Sequence, residues 1–276
     1  MTNNPHPLEV NNTINIADIR NTLREAVAAA AEQTLPLFRT KLAIDNKYAV
    51  GFDPVTEADR NAETAIRAVI TKHFPDHAII GEEWENKESD SPFAWIIDPV
   101  DGTRAFVSGV PVWGTLIGVT YKGRAFAGIM SQPFTGETYL AGDGKAELIH
   151  NGQTTELQAS SVTSLAEATL FTTTPSLFSK PGQRAGYDAV EAEVQLARYG
   201  CDCYAYALLA SGHVDLILEP GMNTYDIAAL VPLIENAGGI VTTWAGERAE
   251  VGGDIIAAAT PELHEAALAI MRQHVA

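Results

Sequence analysis

The chain has 276 residues, 46% of them hydrophobic and 19% charged, a composition that supports a sizeable core and excludes wholesale disorder. Its 35 acidic residues outnumber 18 basic ones, and the formal charge of −17 argues against a general nucleic-acid binder, though not against a phosphorylated small molecule, because a bound metal reverses the local sign. No apolar run reaches the roughly 20 residues of a membrane span, the start MTNNPHPLEV lacks the order of a secretory signal, and Cys201 and Cys203 cannot make a disulfide framework, so the expectation is a cytoplasmic protein with no membrane partner.

Residues 1–12 are polar and read as a flexible tail. Over 16–37, Ile16, Ile19, Leu23, Val27, Ala30 and Ala31 recur at helical spacing and predict a helix. Thr56-Glu57-Ala58-Asp59 opens a second, with Ala62, Ala65, Ile66, Val69 and Ile70 as its apolar stripe. The period then changes. Short apolar runs at 78–80 and 94–97 end in charged residues and predict strands that deliver side chains at their C-terminal ends. TLIGVTY, RAFAGIMSQ and ETYLA within 115–141 predict antiparallel strands, and 162–174 a further one. Helices are expected over 189–197 and 204–210, then a strand over 214–219. A helix over 225–236 is capped by Gly238-Gly239. Strands over 240–244 and 254–259 lead to a last helix opened by Thr260-Pro261-Glu262. A boundary near 150 separates 13–150 from 151–276, read as two halves of one compact catalytic unit.

Four acidic segments carry the chemistry. They hold Asp59, the pair Glu82-Glu83, Asp98-Pro99-Val100-Asp101-Gly102-Thr103, and Asp226. Glu82 and Asp98 follow apolar runs and Asp226 precedes one, so each of these three sits where the chain passes between interior and surface. If they converge they form a set of hard oxygen ligands, suited to Mg²⁺ or Mn²⁺ rather than to zinc. Within the third segment Pro99 fixes a backbone angle and Asp98 and Asp101 sit three apart on a turn, with the Val100 carbonyl between them. Gly102 lets the backbone approach a ligand, and a helix beginning near Thr103 would offer free amides to phosphate oxygens. Simpler roles compete with these: Thr56 and Asp59 fit a capping box, Asp226 an N-cap, and Glu82-Glu83 a solvated loop. Arg104 suits either phosphate or a surface ion pair. Cys201, Cys203, His213, Trp95 and Trp113 read as packing residues, and His6, His73, His77, His264 and His274 as solvated.

All four segments, in this order and with these flanks, resemble the inositol monophosphatase superfamily. Its hallmark is similar to Trp95-Ile96-Ile97-Asp98-Pro99-Val100-Asp101-Gly102-Thr103-Arg104-Ala105-Phe106, and a second hallmark to Tyr225-Asp226 running through an apolar helix to Gly238-Gly239. DGTRAFVSGVPVWGTLIGV (101–119), GCDCYAYALLASGHVDLILE (200–219) and YDIAALVPLIENAGG (225–239) look most like the histidinol-phosphate phosphatase branch, which often carries Lys-Pro where this chain has Asn223-Thr224. The resemblance implies a layered α-β-α-β-α sandwich of the inositol monophosphatase and fructose-1,6-bisphosphatase type, commonly a homodimer. It implies a Mg²⁺-dependent phosphomonoesterase holding two or three ions, with Mn²⁺ as a substitute. By position, Glu82, Asp98, the Val100 carbonyl, Asp101 and Asp226 would be metal ligands, with Glu83 helping through water. Thr103 and Asp59 would orient and deprotonate the attacking water, and the Gly102 and Thr103 amides would cradle phosphate. Glu219 would face the leaving group, and Lys47 would be a mobile basic residue near the metals.

The reaction implied is phosphate monoester hydrolysis. It is so slow uncatalysed that the protein must remove about 20 kcal/mol or more of barrier. Acid–base help supplies only about 10²–10⁴-fold, so two cations about 3.5–4 Å apart would carry most of the rest. Histidinol phosphate bears an ammonium and an imidazole, and acidic Asp202 and Glu219 suit such a cationic substrate, while Arg104 could meet its phosphate. Inositol phosphate, fructose bisphosphate and an adenosine bisphosphate are the alternatives within the same chemistry. A metal-binding protein without activity is the alternative outside it.

Overall fold

The computed structural model describes residues 14–41, 45–46 and 54–275; the expected tail and Lys47 lie outside the described residues. Asn15 opens helix α1 (Ile16–Thr34) by accepting the Ala17 N–H. The helix ends before 37 because Pro36 has no N–H to continue the ladder. A short antiparallel pair, β1 (Asp45–Asn46) and β2 (Pro54–Val55), precedes helix α2 (Glu57–His73). There the capping box forms as its sequence predicts: Thr56 Oγ accepts the Ala58 N–H, and Asp59 Oδ2 accepts the Thr56 N–H at 2.9 Å.

Seven strands follow and pair in chain order: β3 (Ala78–Gly81), β4 (Phe93–Asp101), β5 (Gly114–Tyr121), β6 (Arg124–Gln132), β7 (Glu137–Gly142), β8 (Lys145–His150) and β9 (Gln153–Glu156). β3 runs parallel to β4, and every later neighbour is antiparallel. A five-residue helix, α3 (Thr103–Val107), links β4 to β5. The hairpin of β8 and β9 is absent from the sequence expectations; its strands are largely polar, and its turn is Asn151-Gly152, both at positive φ.

The remainder builds a second, five-stranded sheet. Its elements are β10 (Thr169–Thr172), helix α4 (Gln183–Glu191), β11 (Leu196–Tyr199), helix α5 (Asp202–Ala210), β12 (Leu216–Met222), helices α6 (Thr224–Ile227) and α7 (Leu230–Asn236), β13 (Ile240–Thr243), β14 (Gly253–Ala258) and helix α8 (Pro261–His274). Strand order is β11-β10-β12-β14-β13, with the first three parallel and the last two pairings antiparallel.

Three cores define the layers. Ile19, Leu23 and Val27 of α1 and Ile66 and Ile70 of α2 bury against Trp95, Ile97, Ile117 and Ile129 of the first sheet. Its other face, through Leu116 and Met130, packs with Tyr206 of α5, Leu230 and Ile234 of α7, and Ile217 and Ile255 of the second sheet. The far side of that sheet, through Leu216, Leu218 and Ile256, meets Tyr187 of α4 and Leu263 and Leu268 of α8. The result is the expected α-β-α-β-α sandwich.

Several local expectations need correction. The strand expected over 162–174 shortens to β10, entered through a 3₁₀ turn at Leu165–Glu167. The helix expected over 189–197 ends at Glu191, and 196–199 instead form β11, whose backbone pairs with β10. The helix expected over 225–236 breaks at Ala228-Ala229. Pro232 removes the N–H that would bond the Ala228 carbonyl and crowds that carbonyl. The break is also a contact: a Cβ on Gly118 would lie 2.8 Å from the Ala228 carbonyl carbon, and one on Gly128 would lie 2.2 Å from the Ala229 carbonyl oxygen. Glycine on β5 and β6 lets the chain before Leu230 sit flush on the first sheet.

Two of the histidines expected to be solvated, His77 and His264, are buried, whereas His73 is exposed as expected. His77 is buried, stacked between Phe74 and Phe93, and accepts the Trp95 indole N–H at 3.0 Å. His264 is buried 2.8 Å from Thr242 Oγ, and His73 lies 2.7 Å from a Glu25 carboxylate oxygen. Trp95 and Trp113 are fully buried, as expected. Among the described residues no helix is long and apolar enough to cross a membrane.

Two tests follow from this packing. Gly128→Ala drives a methyl into backbone and is expected to cost about 3 kcal/mol, measurable as a fall in Tm of several degrees. Burial, with a smaller contribution from Arg272, pushes His264 from 6.5 down to about 4. Between those two values the unfolded chain binds a proton that the folded chain refuses, so stability falls as pH drops through that window. His264→Gln is expected to flatten this acid limb in denaturation midpoints measured at pH 7 and pH 4.5; an unchanged limb would contradict it.

Candidate active site

The cavity that gathers the acidic segments measures about 450 Å³. Glu82, at the end of β3, and Asp98, Val100 and Asp101, at the end of β4, enter it from the first sheet. Gly102, Thr103 and Arg104 follow at the start of α3. Asp202 of α5, Glu219 of β12 and Asp226 of α6 complete it from the other half. The two strands deliver their acids at C-terminal ends, as the sequence predicts.

The Asp98–Asp101 segment differs from expectation in one respect. It is not a free turn but the continuation of β4, with its register shifted between Asp98 and Asp101. Such an irregularity re-aims side chains without ending the strand. Val100 is buried with Phe38, Ala58, Phe106 and Trp113, and Thr115 Oγ donates to the Pro99 carbonyl at 2.8 Å. The Val100 N–H donates to Asp98 Oδ1 at 3.1 Å. Gly102, at φ +79°, turns the chain into α3, and a Cβ there would sit 3.1 Å from Asp202 Cβ.

Asp98, Asp101 and Asp226 each place one carboxylate oxygen within 4.8 Å of the other two. Asp98 is held well above the usual carboxylate range by burial first, then by the charges of Glu82, Asp101 and Asp226. Asp101 is raised by burial and by Asp202 and Asp226, against a 2.8 Å hydrogen bond donated by the Cys203 N–H. Asp226 Oδ2 accepts the Asn223 N–H at 2.6 Å, so its capping role and its place in the cluster coexist. Crowded at the cavity, with Asp98 buried and Asp101 and Asp226 half-buried, these carboxylates repel one another when ionised, and a divalent cation would remove that repulsion. The all-oxygen donor set fits a hard ion such as Mg²⁺ or Mn²⁺.

Asp59 likewise serves two duties. Its Oδ2 accepts from the Thr56 N–H and, at 2.7 Å, from the Thr56 hydroxyl. Its Oδ1 lies 3.4 Å from the Thr103 hydroxyl, which also lies 3.0 Å from the Val100 carbonyl oxygen. Helix capping and contact with the cavity-lining threonine belong to the same buried carboxylate.

The profile of the Inositol monophosphatase family matches residues 15–276. The chain belongs to that family. Family members are phosphatases acting on small phosphorylated substrates. The chain is 39% identical to the bifunctional phosphatase IMPL2 of Arabidopsis thaliana, over 98% of this chain and 80% of that one. It is 36% identical to the histidinol-phosphatase of Chlorobaculum parvum, over 73% of this chain and 76% of that one. The solved structure of an inositol monophosphatase from Zymomonas mobilis superposes with a TM-score of 0.83 at 37% identity, covering 94% of this chain and 99% of that one.

The family member's cavity also holds Tyr206 and contacts to Glu219 and Cys203 that sequence reading passed over. Glu219 is buried, and its carboxylate accepts the Thr173 N–H at 2.5 Å and lies 3.3 Å from the Thr172 hydroxyl. Burial still lifts it to about 8. Tyr206 lines the cavity with its hydroxyl 3.1 Å from the Met222 sulfur. Cys203 is buried, as expected, but its backbone N–H is what holds Asp101. Only the acidic residues themselves are visible in sequence; the donor to Glu219 lies 46 positions away and the donor to Asp101 102 positions away.

Neutralising one member of a crowded anionic set relieves repulsion. Asp98→Asn is therefore expected to raise Tm in EDTA. A divalent cation should raise the Tm of the unaltered protein by an amount that grows with its concentration, and the variant should lose most of that increment. Equal increments in both proteins would contradict the reading of the cluster as a cation site.

Proposed function

We propose that this family member hydrolyses L-histidinol phosphate to L-histidinol and inorganic phosphate in the presence of Mg²⁺. The observation that carries the substrate reading is the pair Asp202 and Glu219, two acids in the same cavity as the three-carboxylate cluster. Burial lifts Asp202 to about 6, against the nearby Arg104, and Glu219 to about 8. An ammonium or imidazolium at these groups would offset that burial and favour their charged forms. Neutral polyols such as inositol offer no such compensation. Similarity to histidinol-phosphatases supports the same choice.

Glu82, Asp98, Asp101, Asp226 and the Val100 carbonyl would hold the cations, with Glu83 assisting through water. When bound, the cations neutralise phosphate charge, acidify water and stabilise the leaving oxygen. The Thr103 hydroxyl, turned toward Asp59 Oδ1, would leave its lone pairs facing the attacking water. In that relay the water proton passes to Thr103 Oγ while the threonine proton passes to Asp59. The Thr56 hydroxyl and N–H hold Asp59 in place from behind. Gly102 and Thr103 would offer N–H groups to the phosphate oxygens, and Arg104 would balance charge between phosphate and Asp202.

The test is phosphate release from histidinol phosphate, inositol 1-phosphate and fructose 1,6-bisphosphate, with and without Mg²⁺. The expected outcome is Mg²⁺-dependent release with the highest kcat/KM for histidinol phosphate. Glu219→Gln should raise KM for that substrate about tenfold, an ion contact's worth, with a smaller effect on inositol 1-phosphate. Thr103→Ala should lower kcat by about 10²–10⁴-fold. A preference for inositol 1-phosphate would assign the second reading and leave the cation chemistry standing.

A further inference from the structure

Helix α2 carries a second buried acid one turn beyond Asp59. Glu63 is fully buried, and no step described above uses it. Its Oε1 accepts the Arg67 Nε–H at 2.7 Å, and its Oε2 accepts the backbone N–H of Glu83 at 2.7 Å. Gly81 passes so close that a Cβ there would lie 1.9 Å from Glu63 Oε1. Arg67 also donates to the Trp84 carbonyl at 3.2 Å, and the Trp84 indole N–H donates to the Arg60 carbonyl at 3.3 Å. One helix thus grips residues 81, 83 and 84, and Glu82 is the residue between the grips. Its carboxyl reaches Asp98, closely enough to share a hydrogen bond with it.

We propose that Glu63 is a positioning residue for the cation site: through the Glu83 N–H it fixes the backbone that presents the Glu82 carboxylate to Asp98. This rests on the reading of Glu82 and Asp98 as cation ligands. A stable helix needs no such device, because an exposed Glu–Arg pair at i, i+4 stabilises a helix equally well. Here the acid is taken out of water, where an ionised carboxylate is costly unless fully bonded. Of the bonds that compensate for that, one comes from Arg67 on the same helix and the other from the Glu83 N–H, in the segment bearing Glu82. Placement on a rigid helix suits the task, since ligand geometry must be held within about 0.5 Å.

The role depends on reach, not on charge alone. Glu63→Gln keeps an acceptor at the full side-chain length, whereas Glu63→Asp keeps the charge but withdraws it from the Glu83 N–H by one methylene. Two readouts are compared across unaltered protein and both variants: the Mg²⁺ concentration giving half of the maximal Tm increase, and kcat and KM for phosphate release at saturating Mg²⁺. The expected result is a tenfold or greater rise in the half-saturating Mg²⁺ concentration for Glu63→Asp, with Glu63→Gln within about threefold of the unaltered protein. Values of kcat at saturating Mg²⁺ should stay close in all three. The reverse order, or wild-type Mg²⁺ binding by folded Glu63→Asp, would overturn the proposal. If the unaltered protein showed no Mg²⁺-dependent rise in Tm, the cation reading itself would fall instead.

Discussion

Repulsion between carboxylates crowded into one cavity, the deepest of them buried, is the constraint around which this molecule is organised. Asp98, Asp101 and Asp226 come from a strand end and from a short helix in the other half of the chain, and nothing local brings them together. Left to themselves they would separate or take up protons, and burial already pushes Asp98 and Asp101 toward protonation. They stay close because each is fastened to rigid backbone: Asp98 to the Val100 N–H, Asp101 to the Cys203 N–H, Asp226 to the Asn223 N–H. The surrounding apolar packing supplies the free energy to hold an arrangement that is unfavourable on its own.

The layered architecture makes that fastening possible. The middle helical layer joins the two sheets and carries both the Cys203 amide and, through α6, Asp226. Its seating depends on side chains that are absent. Gly118 and Gly128 let the Ala228-Ala229 break lie directly on the first sheet, and Gly102 lets α3 turn under Asp202. The break at Ala228-Ala229 separates a short helix bearing the acid from a longer one devoted to packing.

Much of this was legible in the sequence because the signals are local. The stripes of α1 and α2, the capping box at Thr56, the antiparallel run after Trp113 and the Asp98–Thr103 motif all lie within short windows. The five layers came from the family resemblance together with those windows. What escaped depends on contacts between distant segments. β11 has helix-like composition, and pairing with β10 decides its form. His77 and His264 stand in no sequence motif, and their partners Trp95 and Thr242 lie 18 and 22 positions away. The Thr172-Thr173 hold on Glu219 and the Glu63 hold on Glu83 involve ordinary residues that no motif marks. The Asn151-Gly152 turn was a usable hairpin signal, obscured by the polarity of the strands it joins.

The two hydrogen-bonding faces of Asp59 limit what could ever replace it. Asparagine could start the helix as well, but its amide has no place for a proton. Glutamate has the right acidity, yet its longer stem would lift the oxygen away from Thr56 or from Thr103. Alanine would loosen the first turn and remove the carboxylate that the proposed relay uses. Under the proposed relay, position 59 would be a site where tolerance to substitution collapses to a single side chain, since helix capping and the contact with Thr103 draw on opposite oxygens of one group.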